Sequence, residues 1–240
     1  MEEERLEIGQ TFGFAIETIG ARTLPFAVLV LVIGGLDGLR DTYAANAIRD
    51  GSVLASRLPL ALSFSAILSA VLTFVTAVLA TFYALKVRCG DELVVTLAFG
   101  RAIGVYVLSG LAIMVGLVLL IVPGIYLMLI WSLAVPALMA EDLSISDSLG
   151  RSMALTEGHR ATVLGIILMV SLPMMIFGWG IGALGQTFFG AGIQSSLAYH
   201  IGVDVVTAGA SVLSTVLIAE AYITLSGQRN RLGALREIFA

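Results

Sequence analysis

One cysteine, two histidines and few charges are what this sequence has in short supply, and each scarcity excludes something. Cys89 stands alone in 240 residues, so no intrachain disulfide and no cysteine metal cluster can form. The histidines are His159 and His200, predicted on opposite sides of a membrane, which argues against a Ser-His pair or a His-rich metal centre. No Gly-x-Ser-x-Gly elbow, His-Glu-x-x-His helix or P-loop occurs. Charged residues make up 12%, against about 25% in a soluble domain. The formal net charge of −4 does not suit nucleic acid, and Glu2, Glu3, Glu4 and Glu7 alone equal it. The expectation is a chain that is not an enzyme, with no cofactor, no bound metal and no nucleic-acid partner.

What is abundant is apolar surface. Hydrophobic residues reach 58% and the mean hydropathy is +1.01, so lipid rather than water is the expected solvent. The start, MEEER, lacks the positive region of a cleaved signal peptide. Runs long enough to cross a bilayer need about 20 apolar residues. They predict an all-α polytopic membrane protein, a single membrane domain over 1–240, with spans near 19–39, 59–85, 102–122, 125–140, 161–179 and 199–225. Ala102 to Ala140 carries no charge and as one helix would be about 58 Å long. It must fold back, and Pro123-Gly124 is the strong breaker pair near its middle. Pro136 follows at a position suited to a kink. Asp37 to Arg57 reads as one long polar loop. Gly178, Gly180, Gly182, Gly185, Gly190 and Gly192 mark a flexible connection that is either re-entrant or an outer loop.

Short amphipathic stretches precede alternate spans, near 6–20, 91–100 and 143–157, and are expected to lie at the membrane interface. Ser144 and Asp147 make a capping-box-like start for the third. Gly-Ala-Arg (20–22), Phe-Gly-Arg (99–101) and Gly-His-Arg (158–160) each close such a stretch. LEIGQTFGFAI (6–16) and LSISDSLGRSM (143–153) share Leu, Ile and Gly at matching positions. The pattern predicts six transmembrane helices as three hairpins, each fronted by an interfacial helix. With that topology, one side holds Arg5, Arg22, Lys86, Arg88, Arg101, Arg151, Arg160, Arg229, Arg231 and Arg236, the other Arg40, Arg49 and Arg57. Ten against three, together the 13 basic residues, places both termini in the cytoplasm.

Within the last span, Asp204 and Glu220 are carboxylates that are costly in hydrocarbon and point to function by default, but each lies near an end of the run, so the expectation is interfacial, hydrated carboxylates. They are 16 residues apart, about 24 Å along a helix, too far for joint acid–base work. His200 precedes Asp204 by one turn and could pair with it in a proton relay or metal site. Arg22, Arg101 and Arg160 are candidates for lipid-phosphate binding or for pairing with Glu141, though snorkelling to the interface or orientation signalling is the simpler expectation. Gly100-x-x-x-Gly104 and Gly178-x-x-x-Gly182 are close-packing spacings, compatible with packing within one chain or between copies. Asp37-Gly38 with Arg40-Asp41 is similar to the opening of the CDP-alcohol phosphotransferase signature, but the further aspartates which that chemistry needs are missing.

The block from Val122 to Arg160 resembles the membrane domain found in some glycerophosphoryl diester phosphodiesterases and the stand-alone YciC-like inner-membrane proteins. The shared pattern falls on Pro123, Gly124, Ile125, Tyr126, Pro136, Leu138, Glu141, Ser152, Leu155, Thr156 and Gly158, with Met153 where tryptophan is common. EAYITLSGQR (220–229) looks like that family's last span. The resemblance implies a six-span bacterial inner-membrane protein; no His-Arg-Gly with following acidic ligands accompanies it. Two classes of function stay open: a protein that binds, transports or organises lipids or other amphiphiles, and a scaffold or regulatory module that binds a protein partner, or a second copy, through its cytoplasmic helices.

Overall fold

The computed structural model describes residues 8–49, 58–89, 98–189 and 196–227. These are helical, with no strand among the described residues: α1 (Ile8–Ala21), α2 (Thr23–Arg49), α3 (Leu58–Cys89), α4 (Phe99–Leu119), α5 (Ile121–Trp131), α6 (Ala134–Glu141), α7 (Ile145–Thr156), α8 (Arg160–Phe189) and α9 (Leu197–Leu225). Six stretches are long and apolar enough to cross a membrane: Thr23–Asn46, Ala66–Cys89, Phe99–Leu119, Ile121–Glu141, Arg160–Ile181 and Leu197–Leu225. The chain is thus a multi-pass membrane protein in architecture. Contacts divide it into two compact units, one of residues 1–22, 78–168 and 214–240, the other of 23–77 and 169–213.

Proline placement explains where the helices start. Pro25, Pro59, Pro123 and Pro136 each fall in the first three residues of a helix, where the missing N–H would have had no intrahelical partner. Pro173 alone sits inside a helix, α8. This corrects the Pro123-Gly124 turn. The chain breaks instead at Leu120, with extended backbone (φ −158°, ψ 135°), and Pro123 belongs to the first turn of α5. Gly124 serves close packing rather than the turn: a Cβ on Gly116 would lie 3.0 Å from the Gly124 Cα, and one on Gly124 would meet Leu117 at 2.4 Å.

Other boundaries shift for similar reasons. The first span does not recruit Ile19 to Ala21, because α1 ends at Ala21 and α2 begins at Thr23. It gains length at its other end: residues 37–49 of the expected polar loop continue α2. No proline or glycine lies between Leu39 and Arg49, and Asp37 and Arg40 pair across one turn, so nothing ends the helix there. Likewise Gly178 to Gly185 belong to α8. Glycine costs about 1 kcal/mol relative to alanine in a helix, far less than leaving backbone groups unpaired in hydrocarbon. The stretch expected at 91–100 lies outside the described residues as far as 97, and Phe99 and Gly100 open α4.

The first unit has its core around α6, where Ala134 to Met139 are all buried, together with Val78, Ala84 and Leu85 of α3 and Val216, Leu217 and Tyr222 of α9. The span that contains α6 is broken at Ser132-Leu133, which frees backbone groups in the interior. Ser152, fully buried on α7, mends the break: its hydroxyl donates to the Ile130 carbonyl at 2.7 Å and accepts from the Leu133 N–H at 3.1 Å. At the far end of α6, Asp142 adopts φ 50° and the Leu143 N–H bonds the Leu138 carbonyl at 3.3 Å, a Schellman-type close. Arg101 caps it, donating to the Asp142 and Leu143 carbonyls at 3.1 and 2.9 Å and to the Asp142 carboxylate. Ser144 is the N-cap of α7, its Oγ accepting from the Asp147 N–H at 3.3 Å. α7 ends in a turn closed by the His159 N–H on the Thr156 carbonyl at 3.0 Å. Gly158 at φ 82° occupies the position where that turn type favours glycine.

Ser152→Ala removes the mend without creating bulk. Leaving two buried backbone groups unpaired should cost about 1–3 kcal/mol, seen as a lower melting temperature in detergent. An unchanged melt would mean that the break is satisfied some other way.

Candidate functional site

In the second unit, a glycine spacing brings two helices into contact. Gly34 and Gly38 of α2 face α9 so closely that a Cβ on Gly34 would lie 2.4 Å from the Val205 Cα, and one on Gly38 would lie 2.7 Å from the Ile201 Cα. This is the small-xxx-small packing of membrane helices, and it runs antiparallel, with 34 opposite 205 and 38 opposite 201. The polar residues of α2, Asp37, Arg40 and Asp41, flank the second glycine. Those of α9, His200 and Asp204, flank Ile201. Each helix thus presents an i, i+4 pair of ligating side chains beside the contact.

Arg40 ties the α2 acids together, with its Nη1 3.2 Å from Asp37 Oδ1 and its Nε donating to Asp41 Oδ1 at 2.8 Å. Ser69 of α3 donates to Asp37 at 2.5 Å. Asp204 is different: its Oδ2 is buried and has no hydrogen-bond partner. One ligand atom from each of Asp41, His200 and Asp204 lies within 4.8 Å of the others. The Tyr199 ring meets His200 edge-on at 5.4 Å. Measured from Thr23, Asp37 is 14 residues along α2 and Asp41 is 18, about 21 and 27 Å at 1.5 Å per residue. The acids therefore fall in the second half of the span.

Beside them is a cavity of about 150 Å³ lined from α2 by Leu29, Ile33 and Asp37, from α3 by Thr73 and Thr76, and from α9 by Asp204, Thr207, Ala208, Ser211 and Val212. Two carboxylates and four hydroxyls thus share the lining with the apolar side chains of Leu29, Ile33, Ala208 and Val212. Three aspartates, Asp37, Asp41 and Asp204, face one guanidinium, Arg40. A local surplus of two negative charges in an apolar span creates a strong preference for a cation.

The remaining sequence candidates are placed in the first unit and have structural partners. Glu220, 3% exposed, accepts from Arg88 Nε at 2.9 Å and from Thr18 Oγ1. The same guanidinium donates to the Phe14 carbonyl and to Glu17, which fastens α1 to α3 and α9. Glu141 is held by Arg151 at 2.9 and 3.1 Å and by the Tyr222 hydroxyl at 2.9 Å. None of Arg22, Arg101 and Arg160 bonds it. Arg101 caps α6, Arg160 stacks on the Tyr126 ring at 5.0 Å, and exposed Arg22 makes its backbone bond to Ile19 at 3.2 Å. His200 and Asp204 do come together, as their spacing suggests. Asp37 and Asp41 join them, which the loop assignment of that stretch concealed. The signal was present as Asp-x-x-x-Asp overlapping Gly34-x-x-x-Gly38.

Comparison with family models, with curated proteins and with solved structures found no match to this chain.

The glycine contact has an internal control. Gly34→Val should force α2 off α9 and destabilise by about 1–3 kcal/mol, as overpacking does, while Gly35, with nothing within 4 Å of its Cβ position, should accept alanine with no loss. Equal melting temperatures for Gly34→Val and Gly35→Ala would refute the close crossing.

Proposed function

We propose that this chain is a non-catalytic, multi-pass protein of a bacterial inner membrane that binds amphiphiles bearing an amine head group. The observation that carries this reading is the α2–α3–α9 cavity, in which Asp37, Asp204 and the hydroxyls of Thr73, Thr76, Thr207 and Ser211 meet the apolar side chains of Leu29, Ile33, Ala208 and Val212. Such a cavity offers acceptors and negative charge to an ammonium group and hydrocarbon contact to the chain attached to it. About 150 Å³ admits a small head group and not a whole lipid, so the acyl chain would lie along the apolar helix surface. The cluster's surplus of carboxylate over guanidinium favours amines over phosphates. Membrane lipids are thus the expected partners.

On this reading the three hairpins run through the inner membrane with both termini in the cytoplasm, and α1 and α7 lie at the cytoplasmic interface. The excess of basic residues on one side supports that orientation. The resemblance to the membrane domain of glycerophosphoryl diester phosphodiesterases supports the six-span topology. The residues behind it have physical work to do here: Ser152 mends the α5–α6 break, Tyr126 carries Arg160, and Glu141 is tied to Tyr222 and Arg151.

Orientation is testable on α7. In a Cys89→Ala background, a cysteine at exposed Glu157 should escape a membrane-impermeant thiol reagent in intact spheroplasts and react after lysis. Labelling before lysis would reverse the topology. Ligand class is testable by thermal shift. Dodecylamine should raise the melting temperature of the purified protein more than dodecanol or dodecyl phosphate does. Asp37→Asn should abolish the difference. Equal shifts from all three probes would overturn the amine reading.

A further inference from the structure

We propose that Asp41, His200 and Asp204 bind one divalent first-row transition-metal ion of the zinc type. One donor atom from each residue lies within 4.8 Å of the others. Nitrogen and oxygen ligands sit about 2.0–2.2 Å from zinc, so two of them on one ion are at most about 4.2 Å apart. The three side chains therefore need to close by only about half an ångström. The backbone beneath them is fixed by the Gly38–Ile201 crossing.

A second observation also calls for a cation. Asp204 Oδ2 is buried without a donor, and a carboxylate oxygen in that state carries an uncompensated desolvation cost. A metal ion would supply what no side chain supplies. Asp41 is already oriented by Arg40 on Oδ1 at 2.8 Å, the kind of outer bond that positions a ligating carboxylate. The charges fit as well. Asp37, Asp41 and Asp204 against Arg40 leave two negative charges, which one divalent ion neutralises. An imidazole among the ligands selects zinc-like metals over magnesium or calcium, which prefer oxygen alone. Asp204 belongs to both the site and the cavity, whereas Asp41 and His200 do not line the cavity, so variants of those two test the metal site separately from the amphiphile reading.

The test uses the full chain purified in detergent, stripped with a chelator and titrated with Co²⁺ in place of Zn²⁺. One Co²⁺ per chain should bind with visible d–d bands, be displaced by Zn²⁺, and resist a large excess of Mg²⁺. His200→Ala and Asp41→Asn should each weaken binding about tenfold or more, while His159→Ala, which changes the other histidine, should bind like wild type. Where His200→Ala does not run as a folded species on gel filtration, His200→Gln and Asp41→Asn carry the comparison. Binding unchanged by loss of His200 or Asp41, equal loss in His159→Ala, or displacement by Mg²⁺ would each overturn the site. Dodecylamine stabilisation that survives in His200→Ala would show that the cavity reading holds independently.

Discussion

A polypeptide in hydrocarbon must satisfy its own backbone, because no water is at hand to do so. Nearly every local feature of this chain follows from that constraint. Four of its five prolines stand where a helix begins and an N–H would go unused. The break inside the Ile121–Glu141 span is closed by a serine from a different helix. The exposed carbonyls at the end of α6 are taken by Arg101. Glycine-rich sequence in α8 stays helical, since unwinding it would leave peptide groups without partners.

Charge obeys the same rule in two ways. In the first unit, each interior carboxylate has a guanidinium and a hydroxyl: Glu220 has Arg88 and Thr18, Glu141 has Arg151 and Tyr222. These groups hold helices to one another and are spent in doing so. In the second unit, Arg40 serves two aspartates, and the third, Asp204, has a buried Oδ2 with no hydrogen-bond partner. Removing one partner of a buried pair carries a large penalty, and the unpartnered Asp204 oxygen bears a cost of that kind in the native arrangement. Arg160 Nε and Trp131 Nε1 of the first unit are also buried without a hydrogen-bond partner, but among these three groups Asp204 alone is an acid.

The sequence made the apolar runs, their number and the Ser144 cap readable, because hydropathy and capping are local properties. It also made His200 and Asp204 readable as a pair, since one turn separates them. What it concealed depended on tertiary partners. Pro123-Gly124 suits a turn and equally suits the first turn of a helix, and only the approach of Gly116 decides between them. Asp37 to Arg49 looks like a loop by polarity, yet with no breaker the helix continues until its own acids meet Arg40 and Ser69. Gly34 and Gly38 resemble many other glycines in the chain. Their role lies in the 2.4 and 2.7 Å that a side chain would not have, a distance that no single-helix pattern contains. Arg22, Arg101 and Arg160 share a sequence position but not a partner, so repetition in sequence did not carry over into a common site.

The hydroxyl of Ser152 also has a mechanical consequence. It is bonded to both sides of the α5–α6 break, so α7 cannot be pulled from the bundle without opening the backbone of a span to lipid. α7 therefore behaves as a rigid handle on that span: a load applied to it is delivered to Ile130 and Leu133. At its other end the Thr156–His159 turn, with Gly158 at positive φ, couples the same handle to the start of α8.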